Sequence, residues 1–464
     1  MEQSMKRYLI SLFLAVTLVC PAFAEPKATS SPSPSPVAEE TLSEKEKMLK
    51  AKETTEENGV TLHCQAALLM DRKTGEILFE KNKSEKVYPA STTKIMTAVL
   101  ALEHGTLTDT VTATHEAIDP ITIKHSHMGI LVGEELSMEQ LLYGMLVYSA
   151  NDAANVIGVH IAGSLPGFVD MMNQKAAELG MTNTHFANAH GFHDDNHYTT
   201  AEDMAVLARY AMQNEMFRKI VSTGLYRIPP TNKYQEERVL SSTNHLISRY
   251  RNTKLFYKYA IGIKTGFTDE AGNCLVSAAT KDDMELICVV MNATNLNASD
   301  CAYSFVDSKN LFEWVFNNYH YCQIAANGDV AADSVVYEAK NQTRVALTPE
   351  QTIEKLLPKE VSADNITAEP QLAENIRAPI QKGDRLGEIV YTYQGKELGR
   401  TGLVATNDVE KDYILAAIHI VVKVITSPIL WISIAVLILL VLTIRSNRKK
   451  KRRRKRSRAR YSGR

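Results

Sequence analysis

Three short strings in this 464-residue chain hold residue types able to activate a hydroxyl. Ser-x-x-Lys occurs at Ser91–Lys94 and at Ser446–Lys449. Ser-x-Asn occurs at Ser149–Asn151, Ser242–Asn244 and Ser308–Asn310, and Lys-Thr-Gly at Lys73–Gly75 and Lys264–Gly266. Each string recurs, so chance matches are common and context must choose among them. A serine hydroxyl is a weak nucleophile at neutral pH and needs a base beside it. A lysine amine serves as that base only where burial or a second cation disfavours its ammonium form.

Context separates the copies. Ser91 follows Tyr88-Pro89-Ala90 and opens a segment with Ile95, Met96, Val99 and Leu102 at helical spacing, ended near Gly105. Lys94 is then one turn from Ser91, and the helix start offers N–H groups to a developing oxyanion. The bland alternative is a capping serine with a solvated lysine. Ser149-Ala150-Asn151 interrupts two apolar helical patterns, the first opened by a Ser137–Gln140 capping box, so its side chains can point into a cleft. An ordinary interhelical turn would look the same. Lys264-Thr265-Gly266 ends the apolar run Ala260–Ile263. There a strand edge could bind an extended peptide, Lys264 could bind a carboxylate, and Gly266 would permit close approach; a strand ending in a plain turn is the alternative. Lys73–Gly75 sits between Ala66–Met70 and Ile77–Phe79 and is assigned to hairpin turn chemistry.

The elements that must position these residues follow from the wider pattern. Helical patterns dominate to about Gln213, and strand-like runs return at Ala260–Lys264, Cys274–Ala279 and Leu286–Met291. An amphipathic stretch follows around Leu311–Phe316. Strands at both ends of a helical region predict an α/β layer closed by the late strands. From about Tyr321 to Val409 short strand-like runs alternate with turns at Asn327-Gly328, Lys382-Gly383-Asp384 and Gln394-Gly395, which predicts a separate small β domain.

Composition is that of a globular protein, with 45% hydrophobic and 23% charged residues, and excludes a wholly disordered or collagen-like chain. The 52 Lys and Arg include 13 between Arg445 and Arg464, leaving 39 bases against 53 acids in the rest, a charge of about -14. That acidic body argues against nucleic acid as a partner. Lys6 and Arg7, the apolar run Tyr8–Val19 and Ala22-Phe23-Ala24 read as a cleaved secretory signal over 1–24. Residues 25–59, with a Ser-Pro repeat and then many charges, read as a spacer. Val424 to Ile444 has no ionisable side chain and at 1.5 Å per residue is long enough to cross a bilayer, with the basic tail 445–464 retained on the cytoplasmic side. Everything before it would be extracellular. The cysteines remaining after the signal, Cys64, Cys274, Cys288, Cys301 and Cys322, show no disulfide framework or zinc spacing. No phosphate loop or H-E-x-x-H spacing occurs, so no cofactor and no metal are expected. His185, His190, His193 and His197 are assigned to loop structure.

In longer context the three strings become specific. Pro89-Ala90-Ser91-Thr92-Thr93-Lys94-Ile95-Met96-Thr97, Tyr148-Ser149-Ala150-Asn151-Asp152-Ala153-Ala154 and Gly262-Ile263-Lys264-Thr265-Gly266-Phe267-Thr268 resemble the serine-type D-Ala-D-Ala carboxypeptidases, the low-molecular-mass penicillin-binding proteins. Asn188–Phe192, His197–Ala201 and Ala378–Gly383 resemble other parts of that family, and the resemblance covers about 60–410. It implies a transpeptidase-like α/β catalytic domain over 60–320, an antiparallel sheet flanked by helices, followed by a β-rich domain over 321–410. It implies Ser91 as nucleophile, Lys94 as its base and Ser149 in proton relay. Asn151 would hold the substrate amide, Lys264 and Thr265 the terminal carboxylate, and the N–H groups of Ser91 and Phe267 the oxyanion, with Gly266 between. The implied substrate is a peptidoglycan stem peptide ending in D-Ala-D-Ala, with β-lactams as inhibitors. Relatives often end in an amphipathic helix, whereas here a full span and a basic tail are expected. A β-lactamase or D,D-endopeptidase of the same fold, or a non-catalytic peptidoglycan-binding protein, are the other readings.

Overall fold

The structure is a computed structural model, and it describes residues 55–57, 59–122, 124, 126–250, 253–295 and 302–461. The signal peptide, most of the spacer, Cys301 and the last three residues of the tail lie outside the described residues.

The chain enters the catalytic region through an antiparallel hairpin, β1 (Cys64–Asp71) and β2 (Ile77–Lys81). Its turn is closed by Asp71, whose Oδ2 accepts from the Thr74 amide at 2.8 Å and the Thr74 hydroxyl at 2.6 Å. Lys73–Gly75 is therefore turn chemistry, as expected. Helices follow: α1 (Lys94–His104), α2 (Met138–Val147), α3 (Asn151–Ala162), α4 (Leu165–Glu178), α5 (Ala201–Ala211) and α6 (Glu215–Val221). The capping box of α2 forms as read, Ser137 Oγ accepting from Gln140 N at 3.1 Å and Gln140 Oε1 from Ser137 N at 2.8 Å. A short hairpin not anticipated from the sequence, β3 (Leu225–Ile228) with β4 (Arg238–Ser241), then leads to β5 (Ala260–Thr268), β6 (Gly272–Lys281) and β7 (Met284–Ala293).

The first and last strands of this region meet. β7 pairs antiparallel with β1, from Leu286 opposite Asp71 to Ala293 opposite Cys64, giving a sheet of order β2-β1-β7-β6-β5. Both faces are covered, and the period of two is visible in the packing. Ala66, Leu68 and Met70 join Ile287, Val289 and Met291 in the core shared with α1–α6. Their neighbours Ala67 and Leu69 join Cys288 and Val290 on the other face, against Leu311, Phe312 and Val315 of α7 (Tyr303–Asn318). β2 and β5 are the two outer edges of this sheet.

α7 runs straight into β8 (Tyr319–Ala325). The β-rich region continues with β9 (Ala332–Val335), β10 (Arg344–Pro349), β11 (Ile353–Pro358), β12 (Thr367–Leu372), β13 (Arg385–Tyr393) and β14 (Lys396–Ala405). Its five-stranded sheet has the order β9-β10-β14-β13-β12, and β8 pairs with β11. Gln394 (φ 48°) and Gly395 (φ 79°) form the two-residue loop between β13 and β14, as a primed hairpin turn demands.

The C-terminal span differs in one respect from the sequence reading. Val424–Thr426 end a helix, α8 (Tyr413–Thr426), and a second helix, α9 (Pro428–Tyr461), starts after a break at Ser427. Pro428 lacks an N–H and its ring excludes the preceding turn, so a helix ends before it and a new one can start with it. Along α8 and the apolar half of α9 only Ala416 is buried. The Ser446–Lys449 string lies on the exposed far end of α9.

Candidate active site

Ser91 sits in a 3-10 turn, Ala90–Thr93, that feeds directly into α1. The turn places Lys94 at the first position of α1, and its side chain doubles back so that Nζ lies 2.8 Å from Ser91 Oγ. Lys94 is wholly buried, and two further contacts of 2.7 Å bind its amine to Asn151 Oδ1 and to the His190 carbonyl. Nζ can donate to all three oxygens; in the neutral amine two N–H bonds serve the amide and carbonyl oxygens, and the lone pair is left to accept the Ser91 O–H. Burial pushes the Lys94 amine well below the usual lysine range, the nearby charge of Lys264 pushes it further, and Asp152 opposes both.

Ser149 and Asn151 come from the junction of α2 and α3. Ser149 has φ 70°, a left-handed conformation that side chains other than glycine adopt at a cost. This directs its Oγ to Lys264 Nζ at 3.0 Å. Asn151 begins α3, and its N–H donates to the Ser126 carbonyl at 2.8 Å. The loop carrying Ser126 is held by a buried ion pair, Arg238 with Glu134 at 2.7 Å, in which Arg238 also donates to the Met128 and Gly129 carbonyls.

β5 supplies Lys264, Thr265, Gly266 and Phe267. Lys264 is buried; its amine also donates to the Thr265 carbonyl at 2.8 Å, and burial lowers its pKa to about 7. A Cβ on Gly266 would lie 2.9 Å from the Pro89 oxygen and 3.0 Å from the Ser91 nitrogen, so the strand backbone rests on the nucleophile turn. Only glycine allows that approach. The other seven residues read from the sequence are thus grouped around Ser91, Lys264 through its contact with Ser149.

Ser91 borders two cavities. One, of about 280 Å³, is shared with Ser149, Thr243, Thr265 and Gly266; the other, of about 380 Å³, with Asn151, Gly191, Phe192 and Phe267. Lys264 lines neither. The smaller cavity is also lined by Ser126, His245 and Asn273, and in it Thr265 Oγ1 and Thr243 Oγ1 lie 2.7 Å apart. Sequence reasoning missed Thr243, which lies inside the Ser242–Asn244 string counted as a chance match. It also missed the carbonyl of His190 as a partner of Lys94. Gly191 (φ 84°) would set a Cβ 1.8 Å from the Ala90 oxygen, so that loop presses on the same turn.

His197 braces the turn from below. Its Nδ1 accepts from the Ala187 amide at 3.0 Å, so Nε2 carries the proton and donates to Thr93 Oγ1 at 2.7 Å. Burial holds its pKa down to about 3, which keeps that tautomer neutral. His185 Nδ1 donates to the Asn196 carbonyl at 2.7 Å. Among the described residues no group of three or more His, Cys, Asp or Glu side chains is placed to hold a metal ion, and Cys64, Cys274, Cys288 and Cys322 are buried free thiols.

Comparison with known proteins agrees with this geometry. The profile of the D-alanyl-D-alanine carboxypeptidase family matches residues 51–295, and that of the penicillin-binding protein 5 C-terminal domain matches 319–411. The chain is 32% identical to the D-alanyl-D-alanine carboxypeptidase DacF of Bacillus subtilis over 353 residues, 75% of this chain and 86% of that protein. It is 31% identical to DacA of Haemophilus influenzae over 365 residues, 76% of this chain and 87% of that protein. The crystal structure of penicillin-binding protein 5 from Haemophilus influenzae superposes with a TM-score of 0.61 at 31% identity, covering 75% of this chain and 98% of that one.

Proposed function

This chain belongs to the D-alanyl-D-alanine carboxypeptidase family, and from that premise we propose how its own residues perform the reaction. It is a serine D,D-carboxypeptidase acting on peptidoglycan stem peptides, a substrate class that brings sensitivity to β-lactams with it. Ser91 Oγ attacks the carbonyl carbon between the two terminal D-alanines while its proton passes to the neutral amine of Lys94. The oxyanion settles between the N–H groups of Ser91 and Phe267. When the C–N bond breaks, the departing D-alanine amine takes a proton, relayed from Lys94 through the Ser149 hydroxyl. Water then attacks the ester on Ser91, giving a proton to Lys94, which passes it to Ser91 Oγ as the ester bond breaks and the shortened peptide leaves.

Asn151 orients the substrate amide while holding Lys94. The terminal carboxylate is received by the hydroxyls of Thr265 and Thr243, with Lys264 supplying positive charge from within. The observation that carries this reading is the buried Lys94 amine 2.8 Å from Ser91 Oγ. We take the catalytic domain as 60–320 and the β domain as 321–410. The long apolar helix α9 is consistent with membrane anchoring, and we place the catalytic domain outside the cell and the basic tail in the cytoplasm.

Mass spectrometry of a pentapeptide ending in D-Ala-D-Ala tests the reading. Loss of a single alanine is expected. An intact pentapeptide beside a cleaved crosslinked dimer would indicate an endopeptidase, and rapid penicillin turnover a β-lactamase.

A further inference from the structure

The break at Ser427 shortens the span that hydropathy suggests. With Val424–Thr426 given to α8, the apolar half of α9 runs from Pro428 to Ile444, about 25 Å at 1.5 Å per residue. A bilayer's hydrocarbon core is about 30 Å thick, so this half falls short by roughly 5 Å. Its start is held in place. Trp431 Nε1 donates to the Ile425 carbonyl at 2.8 Å across the break, which ties α9 to α8 where a tryptophan suits the membrane–water boundary. The deficit then falls on the other end, where α9 continues without interruption into the basic residues.

Helix geometry selects which of these residues meet lipid headgroups. The missing ~5 Å and a headgroup layer of about 5–7 Å together take up about 12 Å of helix, which is the stretch from Arg445 to Arg452. Within it Arg445, Arg448, Lys449 and Arg452 share one face, at the i, i+3, i+4 and i+7 positions. All four are exposed, and none makes an ion pair or hydrogen bond among the described residues. No acidic residue occurs from Arg445 to Arg464 to neutralise them. Long basic stems can lie along acyl chains while their charged ends reach the phosphates. Peptide hydrolysis at Ser91 uses none of these charges.

We propose that Arg445, Arg448, Lys449 and Arg452 form a binding site for the headgroups of anionic phospholipids, selected over zwitterionic ones. The proposal rests on the reading of α9 as a membrane span. Each basic residue at an anionic surface is worth roughly fivefold, and neighbours do not add fully, so the four together give a preference of about 10-fold or more. Lys455, Arg456, Arg458 and Arg460 lie farther along α9, about 4 to 12 Å beyond Arg452. Over that distance a Debye length of about 8 Å at physiological salt weakens their attraction.

The test offers the full-length protein, in mild detergent, equal amounts of phosphatidylcholine and phosphatidylglycerol with the same acyl chains. Native mass spectrometry counts the lipid retained. The wild type should retain phosphatidylglycerol about 10-fold or more over phosphatidylcholine. Arg445→Gln/Arg448→Gln/Lys449→Gln/Arg452→Gln should lower that ratio below about threefold, whereas the same change at Lys455, Arg456, Arg458 and Arg460 should leave it within about twofold of wild type. Release of D-alanine stays at the wild-type rate in both variants. Equal retention of the two lipids by the wild type, a preference that survives the first variant, or an equal loss in both variants overturns the proposal alone. So does displacement of bound phosphatidylglycerol by a duplex oligonucleotide at equal phosphate concentration, which would assign the tail to nucleic acid. Full-length protein that does not float with lipid vesicles overturns the membrane reading and this proposal with it.

Discussion

Lys264 stands close enough to Lys94 that its charge is, after burial, the second force keeping a proton off Lys94. The two amines have opposite duties. Lys94 must be neutral to accept the Ser91 proton, whereas Lys264 must keep some charge to attract a carboxylate. With its pKa lowered to about 7, Lys264 is partly charged at neutral pH, and its 3.0 Å contact with Ser149 ties that charge to the relay.

This division sets the pH profile. Acylation should rise with pH as Lys94 loses its proton, then fall as pH passes about 7 and Lys264 discharges. Lys264→Gln removes the repulsion, so the Lys94 pKa rises and the acid limb moves to higher pH, while the fall near 7 disappears. Loss of the charged partner should also lower kcat/KM by roughly 10- to 100-fold. Stopped-flow acylation rates across pH compare the two proteins; an unmoved acid limb would show that the lysines do not interact.

The left-handed backbone at Ser149 makes a separable forecast. Ser149→Gly relieves the strain and Ser149→Ala does not, so the glycine variant should be about 1 kcal/mol the more stable of the two in urea unfolding. Both lose the relay hydroxyl, and both should release D-alanine about 100-fold more slowly. Equal stability would mean that the strain is carried elsewhere.

Gly191 tests how tightly the nucleophile turn is clamped. Its Cβ would fall 1.8 Å from the Ala90 oxygen, so in Gly191→Ala either the loop or the turn must move. A loss of about 3 kcal/mol or more is expected, with penicillin labelling lost beyond what unfolding explains. Wild-type labelling of a folded variant would separate this loop from the site.

The two C-terminal helices should act together at a membrane. α8 is apolar on nearly every face and as exposed as α9. Removing 427–464 should leave a protein that still associates with membranes and is released by detergent, and removing 413–464 should yield a soluble, active protein. Cell fractionation with the D-alanine release assay distinguishes them; a soluble protein after the shorter deletion would assign α8 no membrane contact.

The parts of the site legible in the sequence are those set by local periodicity. One helical turn brings Lys94 to Ser91, and a strand end presents Lys264, so spacing offers both, and the longer strings around them choose these copies over the others. The capping box of α2 and the Asp71–Gly75 turn are equally local. What stayed hidden depends on segments meeting across the fold. Thr243 reaches Thr265 only because the β3–β4 hairpin returns the chain to the cleft, and that hairpin has strands of four residues each, too short to show a period. The Arg238–Glu134 pair joins positions 104 apart, and no spacing rule points to it. A backbone carbonyl such as that of His190 leaves no mark in residue type at all. A proline near the start of a span is tolerable in either arrangement, so Pro428 does not by itself announce the break at Ser427, and hydropathy does not change there.

The most direct measurement is intact-protein mass spectrometry of penicillin labelling over time, on the wild-type chain, Ser91→Ala and Lys94→Ala. The wild type should gain one adduct mapping to the peptide that contains Ser91; Ser91→Ala should gain none, and Lys94→Ala should fold yet label at least 100-fold more slowly. Labelling of the folded Lys94→Ala protein at the wild-type rate, or an adduct that persists in Ser91→Ala, would contradict a serine activated by this buried amine.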